Sequence, residues 1–97
     1  MKKQIQDAIK LKRILVDAQA VMETLETENM GKRIGDDTSM SGDALKGYNM
    51  WGDIQSEAGG DLADALYEVE KALTNAEEYL VDAGMSNAYI NELFEGI

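Results

Sequence analysis

Two carboxylate pairs stand at a spacing that suits a divalent metal: Glu23 with Glu26, and Asp61 with Asp64. Side chains three residues apart on a helix point to the same side, and Mg²⁺ needs few protein ligands beyond such a pair. A third oxygen-rich stretch, "GDDTSMSGD" at 35–43, sets Asp37, Ser39 and Ser41 at alternate positions ahead of Gly42. Alternate oxygens followed by a glycine turn are what a calcium loop requires. Other chemistry is narrow. The 97 residues include no Cys and no His, which excludes disulfides, thiolate nucleophiles, imidazole bases and thiolate zinc sites.

Each pattern has a family likeness and a departure from it. From Asp37, "DTSMSGDALKGY" resembles the first half of an EF-hand calcium loop, but Tyr48 stands where that family closes with a bidentate glutamate, and Leu45 holds a ligand position. The stretch therefore reads as a polar connector ending in a Ser41 helix cap. The carboxylate pairs resemble the E-x-x-E and E-x-x-D elements of all-helical nucleotide pyrophosphohydrolases, a resemblance that implies magnesium-dependent hydrolysis. Asp61 would replace a glutamate there, and no basic cluster lies nearby for the phosphates. "NMWGD" around Trp51 resembles the WXG helical hairpins in chain length and architecture. Trp51 touches Gly52 directly, and neither Tyr79 nor Tyr89 has an acid four residues on. These departures leave catalytic residues, metal ligands and cofactors unassigned, and make solvated helix faces the better reading of the paired acids.

The elements that would position these groups follow from periodicity. A helix is expected over about 3–29, where Ala8, Leu11, Leu15, Ala18, Met22 and Leu25 alternate at three and four, widened by Ile5, Ile9, Ile14, Val16 and Val21. A glycine-rich connector at 30–42 follows. A short helix is expected over 43–57, although Gly47 and Gly52 each cost roughly 1 kcal/mol there. A second long helix, 61–83, carries Leu62, Leu66, Val69, Leu73, Ala76, Leu80 and Ala83 in the same repeat, with Asp61 as N-cap after Gly59-Gly60. Gly84 is its left-handed stop, with Met85 folding back. Ser86 then caps a short helix, 86–95, that buries Tyr89, Ile90, Leu93 and Phe94. The expectation is one all-α domain over 1–97: an antiparallel hairpin of two long helices closed by one or two short ones. Its apolar stripes are wider than one hairpin covers, which predicts a homodimer.

Charge supplies the functional reading. The net charge is −10. Residues 1–33 carry seven bases and five acids, whereas 34–97 carry fourteen acids against Lys46 and Lys71. Such a surface disfavours direct contact with nucleic acid or anionic membrane and favours a protein with a basic surface. No apolar run approaches the ~20 residues of a membrane span, and the opening Met1-Lys2-Lys3 leads into charged helix, which predicts a cytoplasmic protein. Glu57, Asp61, Asp64, Glu68, Glu78 and Asp82 fall on one three-four stripe, interrupted by Lys71 and Asn75. Neighbours at that spacing lie ~5–6 Å apart, comparable with successive phosphates of one nucleic-acid strand. Tyr48, Met50 and Trp51 add residue types that anchor interfaces.

The function expected is a small acidic inhibitor or modulator that blocks a basic surface, such as a nucleic-acid-binding one, as small inhibitors of phages and mobile elements do. An assembly module and the pyrophosphohydrolase are the alternatives. Helix ends sharpen the packing: Lys2 and Lys3 oppose the dipole of the first helix, so antiparallel packing should bring Lys2, Lys3 and Lys10 to Glu77, Glu78 and Asp82.

Overall fold

The computed structural model describes residues 1–30 and 42–95. These form three α-helices, α1 (Lys2–Met30), α2 (Gly42–Asp82) and α3 (Asn87–Leu93), and α1 and α2 pack together. The connector, with Asp37, Ser39, Met40 and Ser41, lies outside the described residues. Contacts divide the chain into two compact units, Met1–Val16 with Asp64–Ile97, and Asp17–Ala63.

The first unit holds the core. Ile5 and Ile9 of α1 cluster with Leu73 and Leu80 of α2 and Ile90 and Leu93 of α3, while Ala8, Val69, Ala76 and Phe94 pack around them. The spacing of Leu73, Ala76 and Leu80 places all three on the same side of α2. Gly84 ends α2 with φ +79°, a conformation glycine adopts without a side-chain penalty. The Met85 N–H donates to Leu80 O at 3.1 Å and the Gly84 N–H to Val81 O at 3.0 Å, a Schellman pair that satisfies two terminal carbonyls. Met85 itself stays exposed. The Ser86 hydroxyl accepts from Tyr89 N–H at 3.2 Å and starts α3. Gln6 of α1 holds the other end of α3, donating from Nε2 to the Leu93 carbonyl. Tyr89, expected on the buried side of α3, is exposed.

In the second unit the expected break does not occur. Helices at 43–57 and 61–83 are one helix, α2, and Asp61 is an interior residue of it rather than an N-cap. The glycines explain why. Leu45, Tyr48, Gly52, Gln55, Gly59 and Leu62 keep the three-four repeat without interruption, so Gly52 and Gly59 occupy positions on the side facing α1. A Cβ on Gly59 would stand 3.3 Å from Met22 Sδ, and one on Gly52 would stand 3.8 Å from Met30 Cε. At Gly59 the missing side chain leaves room for Met22, which a Cβ would displace by a few tenths of an ångström, and that packing offsets the helix penalty there; at Gly52 a Cβ would meet Met30 in ordinary contact. Met22 facing Gly59 and Met30 facing Gly52 also makes the two segments run in opposite directions.

Two further expectations are corrected. On α1 the buried and half-buried positions are Ile5, Gln6, Ala8, Ile9, Lys12, Leu15, Ala18, Gln19, Met22, Glu26 and Met30, whereas Leu11 and Leu25 are exposed. The helix has turned a neighbouring stripe inward. Lys2, Lys3 and Lys10 do not pair with Glu77, Glu78 or Asp82. Lys2 reaches Glu92 at 3.5 Å, and Asp7 lies 2.6 Å from Lys3 and 3.9 Å from Lys10. For Lys3 and Lys10 the partner is on their own helix and needs no alignment of α2, while Lys2 turns to α3.

Candidate protein-binding face

Continuity of α2 changes the geometry of the acidic stripe. Glu57, Asp61, Asp64 and Glu68 step by four, three and four along a single helix, so they share a face and continue without the cap-and-turn expected at Gly59-Gly60. Glu78 and Asp82 resume the same stripe beyond Lys71 and Asn75. All six are exposed, and among the described residues none of the six forms an ion pair. Asp53, four residues before Glu57, is exposed on the same stripe. Sequence reasoning began the row at Glu57 and left Asp53 out, although both fall within the helix expected at 43–57.

The aromatic group divides. At 100° per residue, Met50 lies within about 20° of Glu57 around α2, Trp51 about a third of a turn away, and Tyr48 opposite. Burial follows this order: Met50 is 55 % exposed, while Trp51 and Tyr48 are half-buried. Met50 therefore belongs with the carboxylates. Tyr48 and Trp51, half-buried, lie on other sides of α2.

The paired carboxylates do not converge. Glu23 and Glu26 line an open groove of about 530 Å³ with Gln19, Gln55 and Ser56, over a floor left by Gly59 and Gly60. Asp61 and Asp64 do not line it. Among the described residues no group of three or more acids stands together at metal-binding distance. No described helix is long and apolar enough to cross a membrane.

Away from this face, Lys3 and Asp7 shift each other's titration. The hydrogen bond and charge of Lys3 hold the Asp7 carboxyl below its ordinary range, with a smaller contribution from Lys10, and Asp7 in turn raises Lys3. This pair steadies the first turns of α1 and faces water.

What the face can do is electrostatic. Exposed carboxylates at regular spacing along one helix attract cationic groups, with Met50 as an adaptable apolar contact beside them. The chain matches no family of known proteins, no curated protein and no solved structure.

Proposed function

We propose that this protein acts by binding a basic protein surface through the carboxylates of α2, blocking what that surface would otherwise engage, and that it does so as a homodimer in the cytoplasm. One observation carries the reading. Glu57, Asp61, Asp64 and Glu68 form an exposed row on one uninterrupted helix, with no ion pairs to other described residues. A row that merely kept the chain soluble would need neither common direction nor freedom from internal bases. Asp53 and Met50 extend the row toward the start of α2, and Glu78 and Asp82 extend it toward the end.

The row is less dense than a nucleic acid. From Glu57 to Asp82 the helix rises about 38 Å, so six acids give roughly one charge per 6 Å, against one per 1.7 Å for duplex DNA. The target suited to this is a patch of a few arginines or lysines rather than a duplex-length groove.

The test is affinity capture followed by charge variants. Wild-type protein should retain a basic protein at low salt and release it as salt rises. Glu57→Gln with Asp61→Asn, Asp64→Asn and Glu68→Gln should lose it while keeping the wild-type helical spectrum. Equal capture by both proteins would remove the acidic face from the account.

A further inference from the structure

We propose that the second unit opens on its own: its described segments, 17–30 of α1 and 42–63 of α2, part and lose their helical hydrogen bonds together while the first unit stays folded. Burial divides the chain in this way. All six buried side chains, Ile5, Ile9, Leu73, Leu80, Ile90 and Leu93, belong to the first unit, and among the described residues of the second unit none is buried. Opening costs the apolar contacts that it breaks. A unit whose contacts all stay partly open to water therefore opens at a lower free energy than one closed over a core.

Composition and packing point the same way. The four glycines interior to α2, Gly47, Gly52, Gly59 and Gly60, all precede Asp64, so their helix penalty falls wholly on the second unit's share of that helix. On α1 the half-buried Gln19 and Glu26 bring polar atoms to the seam in place of apolar volume. Met22, the contact to Gly59, is unbranched and adaptable, and fixing it costs rotamer freedom. The open groove bordered by Gln19, Glu26, Gln55 and Ser56 lies entirely within this unit and leaves its seam accessible to solvent.

Side-chain hydrogen bonds repeat the contrast. In the first unit, Gln6 of α1 donates across to the Leu93 carbonyl of α3. In the second, Thr24, Thr27 and Asn29 donate back to the carbonyls of Ala20, Glu23 and Leu25 on their own helix, which ties nothing to α2. Helical stability comes mostly from the packing of an amphipathic face, so segments that part also lose helix. Glu57 and Asp61 belong to the second unit, and Asp64 and Glu68 to the first. The acidic row is whole only in the closed state.

Amide hydrogen exchange of the full chain, followed by NMR through a series of low denaturant concentrations, tests the proposal. The amides of Met22, Glu26, Ile54 and Gly59 should exchange at least about tenfold faster than those of Ile9, Leu73 and Leu80, and should share one opening free energy. Ile90→Val then trims the core of the first unit. It should speed exchange at Ile9, Leu73 and Leu80 by roughly two- to tenfold and leave Met22, Glu26, Ile54 and Gly59 unchanged, because Ile90 stays packed when the second unit opens. Equal protection in the two units would overturn the proposal, as would an Ile90→Val protein in which both sets of amides speed up alike. Protection that falls off residue by residue toward Met30 and Gly42 would be fraying of helix ends, and would overturn the common opening.

Discussion

Replacing Gly60 with alanine should stabilise this protein, because Gly60 is an exposed interior residue of α2. A Cβ there meets nothing within 4 Å, and no positive φ is involved. The gain then reduces to helix propensity, about 0.8–1 kcal/mol for alanine over glycine, most of it from the lost freedom of the unfolded chain. For a domain of this size that is a rise in Tm of roughly 4–8 °C. Gly59 provides the internal comparison. Its Cβ would stand 3.3 Å from Met22 Sδ, so the methionine must shift and the same propensity gain is offset. Thermal and urea unfolding followed at 222 nm, at equal chain concentration, measures both variants. The ordering Gly60→Ala above wild type and above Gly59→Ala fits a helix running through the pair. A Gly60→Ala protein less stable than wild type would refute it, since alanine loses stability there only if the chain turns at that point.

Gly84→Ala should instead cost ~1–2 kcal/mol, because φ is +79° and a side chain is strained in that region; chemical denaturation with an unchanged m-value checks it. Leu93→Ala should cost ~2–5 kcal/mol, since Leu93 is 2 % exposed and joins α3 to Ile5, Ile9 and Leu80. If the loss is below 1 kcal/mol, α3 is not held by this cluster. The Asp7 carboxyl should titrate below the usual range by NMR, and Lys3→Ala should move it back up. The folded value is the lower one, so the stabilisation is present above the ordinary carboxylate pKa and fades as pH falls through the depressed value.

How much was legible in the sequence differs by element. The end of α2 and the start of α3 were, because Gly84 and Ser86 act locally: one needs only its own φ and the other only the Tyr89 N–H. The Gly59-Gly60 pair was not. Its helix penalty is local, while the packing that offsets it, Met22 against Gly59, is made by a residue far away in the chain. On α1 the difficulty was overlap. Ala8, Leu15 and Met22 belong equally to a stripe with Leu11 and Leu25 and to one with Ile5, Lys12 and Glu26. Hydropathy favoured the first, and the structure buries the second. The long side chains of Lys12 and Glu26 reconcile this, since their stems cover apolar surface while their heads reach water. For the binding face, the acids were visible from spacing, and Asp53 and the separation of Met50 from Tyr48 and Trp51 follow from the helix expected at 43–57; only the join from Glu57 to Asp61 depended on α2 being continuous.

The central claim, that the carboxylates of α2 engage a basic protein surface, is tested most directly by titrating the captured partner with wild-type protein and with the Glu57→Gln, Asp61→Asn, Asp64→Asn, Glu68→Gln variant over a salt series. The account predicts that wild-type affinity falls steeply with salt and that the variant binds weakly with little salt dependence. Equal affinities and equal salt slopes for the two proteins would contradict it.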